Sequence, residues 1–218
     1  MKKFFCLCLA ALMAAGVFAS CGTSTQQETE SQVVETFVLK EKITAENISP
    51  YEEAYLEYGD SETVSGLYAM KFTNTGDQTI SSAQLIFSDG TQELSFWLEM
   101  LPADQSVIVA EQSQLTAANE QLQYVDGTVS YLEGVQENKD CVQVSDNKDG
   151  TVQIKNVTGE MLPLVRVFFR PTDASGVPIG GLCRSIMVDG IEAGASVNVA
   201  GDGWDESCEV VTVLIINE

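Results

Sequence analysis

The side chains best suited to bind a ligand lie together in the loop GDGWDE, residues 201–206. The carboxylates of Asp202 and Asp205 offer the oxygen ligands that calcium prefers. The indole of Trp204 is a large amphipathic ring of the kind that anchors interfaces. We therefore take these three residues as candidates for binding a protein or a glycan. A second interpretation remains open, in which Trp204 packs back on its own domain.

Trp97 is another candidate, because it lies on the polar side of an alternating segment. Ser95 and Glu99 flank it at a distance of two residues, and in a β-strand such residues share one face. An aromatic ring on an outer face is either a binding anchor or the cover of a contact between domains. The sequence leaves both roles open, and Met187 occupies the corresponding place further along the chain.

The segment SDNKDG, residues 145–150, superficially resembles the start of a calcium-binding loop. Such a loop ends with a bidentate glutamate at its twelfth position, where this chain has Asn156. We therefore predict a turn between two strands here, and no metal site.

Catalysis by a serine–histidine or cysteine–histidine pair is excluded, because the chain contains no histidine. Carboxylate pairs such as Glu52 and Glu53 are frequent, and no pair stands out as an acid/base site. We therefore predict a protein that is not an enzyme and has no cofactor. The rival hypothesis is a glycan-active hydrolase, which needs two carboxylates at a fixed separation in a cleft.

The N-terminus has the pattern of an export signal. Lys2 and Lys3 precede an uncharged run over residues 4–20, which is short for a membrane span and typical of a signal peptide (1–20). Cys21 follows directly, and FASC resembles the lipobox of bacterial lipoproteins, in which the cysteine carries the lipid. The resemblance implies lipid attachment at Cys21. Cleavage after residue 19 would instead release a soluble exported protein.

Residues 21–42 are predicted to form a lipid-anchored flexible tether. The stretch from 22 to 32 has no apolar side chain, so it lacks the means to bury a core. The mature protein is therefore expected outside the cytoplasm, anchored to the bacterial cell membrane by its lipidated cysteine.

The charge of the chain restricts its partners. The formal net charge is −21 at pH 7, and loss of Lys2 and Lys3 with the signal makes it −23. A surface this acidic repels nucleic acid and anionic lipid head groups, so neither is expected as a partner. The expected partners are the membrane, through the lipid, and an envelope protein or a glycan.

Short alternating runs separated by turn residues follow the tether, a pattern typical of antiparallel β structure. In LIFSDGTQELSFWLEM (85–100), two such runs flank Ser88-Asp89-Gly90, which predicts a hairpin. The best helix candidate, residues 113–123, is expected to be a short surface helix or a loop.

Two parts of the chain align with each other. NTGDQTISSAQLIF (74–87) matches NVTGEMLPLVRVFF (156–169) without a gap, and LPADQSVIV (101–109) matches IEAGASVNV (191–199). Each part contains about six short strands. One small sheet leaves an apolar face uncovered, so each part is expected to fold as a two-layer sandwich.

The sequence therefore predicts an all-β protein with two tandem antiparallel β-sandwiches, over residues 43–134 and 141–218, joined by a polar hinge at 135–140. Alternation predicts the inner face of each sandwich. In the first sandwich the inward residues are Met70, Phe72, Ala83, Leu85, Phe87, Leu94, Phe96, Leu98, Met100, Val129 and Tyr131. In the second they are Val152, Ile154, Val165, Val167, Phe169, Ile186, Val188, Val211, Val213 and Ile215.

Six cysteines occur in the chain. Cys6 and Cys8 leave with the signal and Cys21 takes the lipid, so three remain in the C-terminal part. Export permits a disulfide, and Cys183–Cys208 is the pair that we favour. Three reduced thiols are the alternative.

The tandem pattern resembles immunoglobulin-like modules, including FxLYD-type domains, in lipoproteins of Gram-positive bacteria. The resemblance rests on the turns Asn74-Thr75-Gly76-Asp77 and Asn156-Val157-Thr158-Gly159, on the strands after them and on the L-x-A-x-x-S-V segments. It implies a surface lipoprotein built of interaction modules, without catalytic residues. The expected function is non-catalytic binding or a structural role at the envelope, with an accessory or spacer subunit of a membrane complex as another alternative.

Overall fold

Apolar and polar residues alternate along much of the chain, and these segments form antiparallel strands. The structure is a computed structural model that describes residues 35–52, 54–55, 62–119 and 121–217. The all-β class predicted from the sequence is confirmed. The predicted signal peptide, the lipid-attachment residue Cys21 and the tether as far as residue 34 lie outside the described residues.

Sixteen strands are defined in these ranges. In chain order they are β1 (Thr36–Val38), β2 (Ile43–Asn47), β3 (Ala54–Tyr55), β4 (Glu62–Thr63), β5 (Ala69–Asn74), β6 (Ile80–Ser88), β7 (Glu93–Leu101), β8 (Ser106–Ala110), β9 (Gln123–Tyr131), β10 (Gln136–Glu137), β11 (Val142–Asp146), β12 (Thr151–Asn156), β13 (Leu162–Pro171), β14 (Arg184–Ile191), β15 (Ser196–Ala200) and β16 (Cys208–Ile216). Within the described residues, the helical structure is limited to the 3-10 helix Lys139–Cys141. The described residues of the candidate helix at 113–123 are not helical, and the last of them, Gln123, begins β9.

Two sheets pack face to face in the N-terminal half, which we call the first sandwich. Their strand orders are β1-β2-β5-β8 and β7-β6-β9. Both sheets turn an apolar face toward a shared core. The rings of Phe87 and Phe96 meet edge to face there, with centroids 5.7 Å apart, a geometry that aromatic pairs prefer.

The C-terminal half, which we call the second sandwich, has sheets with strand orders β11-β12-β15 and β10-β16-β13-β14. The order β2-β5-β8 thus recurs as β11-β12-β15, and β7-β6-β9 recurs as β14-β13-β16. An irregularity recurs as well. The pairing of the central strand with the last strand shifts between Ile86 and Phe87 in one sandwich and between Phe168 and Phe169 in the other.

Most residues predicted to point inward do so, and Met100 and Val211 are the exceptions. Met100 has a left-handed backbone with φ 42°, which interrupts the alternation and turns Leu101 inward instead. Val211 lies in a bulge, because Thr212 pairs with Phe168 and Val210 pairs with Phe169. An extra residue in a strand reverses the facing of its neighbours, so Val210 packs on the second core.

The first sandwich begins earlier than the sequence indicated. Residues 36–38 form β1 and pair with β2, and the ring of Phe37 lies 5.3 Å from that of Phe87 between centroids. The prediction that the tether continues to residue 42 is therefore wrong, because an aromatic side chain from this segment packs against the core. In the predicted hinge, residues 136–137 form β10 along β16.

An apolar cluster joins the two sandwiches. Met100 from β7 packs with Phe168 and Leu214 from β13 and β16. These three side chains are 5–7% exposed. Burial of each such side chain stabilises a fold by about 1.5–3 kcal/mol, so the cluster is a substantial contact. Met100, predicted for the first core, belongs to this contact instead.

Glu137 adds a polar bridge between the sandwiches. Its carboxylate accepts a hydrogen bond of 2.7 Å from the hydroxyl of Thr79 and one of 2.6 Å from the hydroxyl of Thr212. Thr79 precedes β6 and Thr212 lies in β16. The segment predicted as a hinge is therefore hydrogen-bonded to both sandwiches.

Arg170 is the most deeply buried charged residue at this contact, with 1% of its surface exposed. Its guanidinium donates to the carbonyl oxygens of Met100 at 3.0 Å and Glu99. It also donates to the carbonyls of Gly180 at 2.9 Å and Gly181 at 3.0 Å. A guanidinium has five donors in a fixed plane, so one side chain of β13 holds β7 and the loop before β14 together.

The loop between β13 and β14 completes the contact by hydrogen bonding to the first sandwich. The carbonyl of Pro178 accepts from the amide of Ile108 at 2.8 Å, and the carbonyl of Gly181 accepts from the amide of Glu99 at 2.8 Å. Ile108 is in β8 and Glu99 in β7. The loop therefore occupies edge positions of both sheets of the first sandwich.

A buried asparagine is the last residue of the equivalent strands β5 and β12, and it makes the same kind of hydrogen bonds in both sandwiches. Asn74 and Asn156 are both 0% exposed. The amide of Asn74 donates to Gln78 and Leu101 carbonyls at 2.8 and 2.9 Å. The amide of Asn156 donates to the Glu160 and Ile191 carbonyls at 2.7 and 2.9 Å. Each asparagine thus ties its own turn to the end of a strand in the opposite sheet.

The hairpin predicted at residues 88–90 is confirmed by the pairing of β6 with β7. Asp89 in its turn is 3% exposed. Its carboxylate accepts from the Thr91 hydroxyl at 2.7 Å, the Thr91 amide at 2.8 Å and the Tyr68 hydroxyl at 2.8 Å. These hydrogen bonds, that of the Thr91 side chain foremost, hold the pKa of Asp89 well below its usual range.

Asp89→Asn is expected to reduce stability at neutral pH and to weaken the loss of stability in acid. Because folding lowers the pKa of Asp89, its contribution is fully present above the unfolded pKa of about 3.9 and is lost as the pH falls through the folded value. Chemical denaturation at several pH values from neutrality to pH 3 measures this. Below about pH 4, the free energy of unfolding should depend less steeply on pH in the variant. Asp189→Asn, an exposed control in β14, should retain the wild-type slope, and equal slopes for wild type and Asp89→Asn would contradict the prediction.

In the part of the chain that the structure describes, no helix has the length and apolar character needed to cross a bilayer.

Candidate functional site

The outer surface of the sheet β7-β6-β9 is a flat polar face with one aromatic ring, and we call it the Trp97 face. Strand register places its residues in rows across the three strands. The rows are Glu99–Ser82–Ser130, Trp97–Gln84–Thr128, Ser95–Ile86–Asp126 and Glu93–Ser88–Gln123. Hydroxyl, amide and carboxylate groups therefore surround the ring.

Trp97 lies on the edge strand β7 of this face and is held in a fixed orientation. The whole residue is 46% exposed. Its indole N–H donates to the hydroxyl of Ser95 at 3.1 Å. The amide of Gln84 donates to the same oxygen at 3.2 Å. The N–H is thus already used within the protein, and the aromatic surface is what remains for a partner. Fixing a ring before binding reduces the entropy lost on association.

The backbone of Trp97, in contrast to its ring, lies under the second sandwich. A Cβ atom at Gly181 would come within 1.9 Å of the Trp97 carbonyl oxygen, so only glycine permits this approach. The amide of Cys183 donates to the Glu99 carboxylate at 3.4 Å. The sequence left two roles open for Trp97, and in the structure its backbone takes part in the contact between the sandwiches while its ring is exposed.

The electrostatics of the Trp97 face are acidic. Glu93, Glu99 and Asp126 lie on it, and its twelve row positions include no lysine or arginine. Lys40 stands at the margin, with its ammonium nitrogen 3.7 Å from the Asp126 carboxylate. A partner that lies over the β7 side of the face therefore meets the carboxylates of Glu93 and Glu99 and an aromatic ring.

The loop that the sequence favoured, residues 201–206, does not present its tryptophan in this way. The ring of Trp204 packs on Phe169 with centroids 4.9 Å apart and belongs to the periphery of the second core. Asp205 accepts hydrogen bonds from the amide and hydroxyl of Ser207 at 2.8 and 2.5 Å, which closes the loop on itself. Asp202 is exposed. The structure therefore corresponds to the second interpretation of Trp204.

Metal ligands are not grouped in the described residues. No set of three or more cysteine, aspartate or glutamate side chains there is arranged to hold a metal ion. In the segment 145–150, Asp149 accepts from the amide and hydroxyl of Thr151 at 2.9 and 2.5 Å. The predicted turn between two strands is confirmed, because β11 and β12 pair on either side of it.

Cys183 and Cys208 do not form the predicted disulfide, and all three cysteines of the two sandwiches are free thiols. Cys183 precedes β14 and Cys208 begins β16, and both strands pair with β13, from opposite sides. Two strand spacings separate them, which is roughly 9–10 Å. Disulfide-bonded Cα atoms are usually about 4.4–6.8 Å apart.

The three thiols are also in poor environments for nucleophilic chemistry. Burial raises the pKa of Cys183 to about 11, against the opposing charge of Arg170. Burial likewise raises the pKa of Cys141 and of Cys208. The thiolate is the reactive form, so these cysteines are protonated near neutral pH.

Alkylation is expected to distinguish the free thiols from a disulfide. In the native protein, Cys141 and Cys183 should react slowly, because burial keeps them protonated and covered. In denaturant without a reductant, all three free cysteines, Cys141, Cys183 and Cys208, should be labelled. The intact mass gives the number of labels. A single added label under those conditions would mean that one pair is oxidised.

A depression of about 480 Å³ lies at one end of the second sandwich. Its lining includes Cys141, Met161 and Asn217, and its one carboxylate is Glu160. Hydrolysis of a glycoside by the usual mechanism needs a pair of carboxylates. This depression therefore lacks the pairing that the hydrolase hypothesis requires.

Neither a protein-family model nor a curated protein matches this chain.

The alternation of side chains in the sequence identified Trp97 as an outward-facing residue. It did not reveal the hydrogen bonds of Ser95 and Gln84 that fix the orientation of the ring. Gln84 lies directly opposite Trp97, because β6 and β7 pair from Ser88 and Glu93 across a four-residue turn at 89–92, a register that the predicted turn at 88–90 did not specify. The approach of Gly181 to β7 carries no local sequence signal, because it depends on how the two sandwiches pack.

Proposed function

We propose that this protein is an extracytoplasmic, membrane-anchored lipoprotein that binds a partner at the bacterial cell envelope without catalysis. In this proposal a lipid on Cys21 anchors two tandem immunoglobulin-like modules, and the first of them carries the Trp97 face. The observation that carries the proposal is the exposed ring of Trp97, fixed by Ser95 on a rigid sheet. Aromatic side chains in such positions are enriched among the residues that dominate binding.

The anchor is tested by the intact mass of the native protein from the membrane fraction. A mass that begins at Cys21 with added diacylglycerol supports the proposal. A mass that begins at residue 20 or earlier without lipid means a freely secreted protein and overturns the anchor.

The binding role is tested by passing detergent-extracted envelope material over the immobilised full-length protein. The retained components should include a species that is lost with Trp97→Ala and kept with Trp204→Phe. Trp204 is the matched control, because its ring packs on Phe169 inside the protein. Retention that is the same for the wild type and Trp97→Ala contradicts a binding role for this face.

A spacer or accessory subunit is the alternative that the contact between the sandwiches favours. The buried cluster and the Arg170 hydrogen bonds give the two sandwiches a fixed mutual arrangement, which suits a rigid extension from the membrane. In that case Trp97→Ala would leave the biological role unchanged, whereas loosening the contact would impair it.

A further inference from the structure

We propose that the Trp97 face docks a basic segment of a protein partner, with an arginine or lysine side chain placed over the Trp97 ring. This inference deepens the binding function proposed above and rests on it. A cation over the face of a tryptophan is attracted by the negative potential of the ring. The face therefore combines two features that each favour a positive group, an available aromatic surface and carboxylates near it.

Charge complementarity identifies the occupant. The chain has a formal net charge of −21, and the rows of the Trp97 face contain Glu93, Glu99 and Asp126 without a basic residue. Glu99 is the carboxylate on β7 next to Trp97 on the same face of the strand. Opposite potentials accelerate association and exclude acidic competitors, so a basic partner is the one that this surface selects.

The second sandwich contains the same kind of contact within the chain. There the guanidinium carbon of Arg166 lies 4.7 Å from the centre of the Phe168 ring, on the face equivalent to the Trp97 face. Gln84 occupies the position that corresponds to Arg166, since the two residues lie at the same place in the aligned strands. Phe168 corresponds to Ile86 and Met187 to Trp97, so the Trp97 face carries its ring on a different strand and has no basic residue in its rows.

The geometry of Trp97 favours a cation over a hydrogen-bond acceptor. Its indole N–H is already donated to Ser95, so the ring offers its π surface to a partner. Gln84 also donates to Ser95, which restrains the amide. A neutral glycan would stack on the ring and donate hydroxyl hydrogen bonds to the carboxylates, but unlike a cation it would gain no charge–charge attraction from Glu93 and Glu99.

The test uses two fluorescein-labelled peptides, GRGGRGGRGG and the same peptide with citrulline in place of arginine. Citrulline has nearly the shape of arginine without its charge. Fluorescence anisotropy measures their binding to the full-length protein in detergent, at physiological salt so that distant charges are screened. The variants are Trp97→Ala, Trp97→Phe and Glu99→Gln, and Asp189→Asn on the second sandwich is the charge-matched control.

We expect the arginine peptide to bind about tenfold more weakly to Trp97→Ala than to the wild type, within the range measured for cation–π contacts. Trp97→Phe should restore part of this loss, and Glu99→Gln should weaken binding more than Asp189→Asn does. The citrulline peptide should bind at least about tenfold more weakly than the arginine peptide. Binding of the arginine peptide that is unaffected by Trp97→Ala would overturn the proposal, because it would reflect net charge alone.

Chitohexaose serves as a neutral glycan probe in the same experiment. If it binds in a manner that depends on Trp97 and the arginine peptide does not, the occupant is a glycan and the basic-segment proposal is overturned, while the binding function survives. If neither probe depends on Trp97, the proposal is overturned as well. Retention of an envelope component by the wild type and not by Trp97→Ala then decides the binding function separately.

Discussion

Arg170→Met is expected to lower the free energy of unfolding by about 3–5 kcal/mol and to let the two sandwiches unfold separately. The guanidinium donates to backbone carbonyls of β7 and of the loop before β14, and methionine retains much of its apolar volume. The loss therefore comes from buried carbonyl oxygens that are left without donors. A chain of this size shifts its melting temperature by about 2–4 °C per kcal/mol, so the expected decrease is roughly 10 °C.

The two tryptophans allow each sandwich to be followed independently. Trp97 is in the first sandwich and Trp204 packs in the second. In backgrounds carrying Trp204→Phe or Trp97→Phe, the remaining tryptophan reports thermal unfolding of its own sandwich by fluorescence. The two curves should coincide with Arg170 present and separate in Arg170→Met.

Arg166→Met is the matched control for this prediction. It removes the same type of side chain from the same strand, where the guanidinium is partly exposed, stacks on Phe168 and donates to Ser185 at 3.0 Å. Contacts of this kind contribute about 0.5–1 kcal/mol, so the effect should be small and the curves should stay together. An equal loss in both variants, or coincident curves in Arg170→Met, would contradict the role assigned to Arg170.

Asn74→Ala and Asn156→Ala are each expected to destabilise the protein by about 2–4 kcal/mol. Both side chains are completely buried, and their amides donate to two carbonyls at Asn74 and three at Asn156, which join a turn to the opposite sheet. The amide of Gly76 also donates to Asn74 at 2.9 Å, as the amide of Thr158 does to Asn156 at 2.8 Å. Alanine removes all of these hydrogen bonds and leaves the buried carbonyls of Leu101 and Ile191 without this donor, which is the costly case for a hydrogen bond.

Chemical denaturation of the two variants measures this loss, and Asn147→Ala is the control. Asn147 is exposed in the turn between β11 and β12 and donates to the Thr151 hydroxyl at 2.9 Å, so its removal should cost less than about 1 kcal/mol. Comparable losses for Asn74→Ala and Asn156→Ala would support equivalent roles. A loss at Asn147 as large as at either buried asparagine would refute the explanation by burial.

The sequence was a good guide to the cores wherever strands are regular. Phe72, Leu85 and Ile154 are buried as predicted, because side chains alternate between the faces of a strand. The prediction was wrong at Met100 and Val211, where a left-handed residue and a bulge change the facing. Such irregularities depend on neighbouring strands and leave no clear pattern in one sequence.

The candidate site was only partly predictable. The alternation of side chains along β7 predicted that Trp97 lies on an outer face, and its exposure agrees with that prediction. The outcome for Trp204 depended on whether its loop folds back on Phe169, which composition alone does not determine. The disulfide predicted between Cys183 and Cys208 is absent for a related reason. The order of strands in the sheet places β13 between β14, which follows Cys183, and β16, which begins with Cys208.

Site-specific photocrosslinking in living cells shows directly whether the Trp97 face contacts a partner. A benzophenone side chain at Thr128, which is exposed in the same row as Trp97, is compared with one at Gln143, which is exposed on the second sandwich. We expect an adduct of defined mass from position 128 that disappears when Trp97→Ala is added, and none of that mass from position 143. An adduct that persists in Trp97→Ala, or the absence of any adduct at position 128, would contradict a binding role for the Trp97 face.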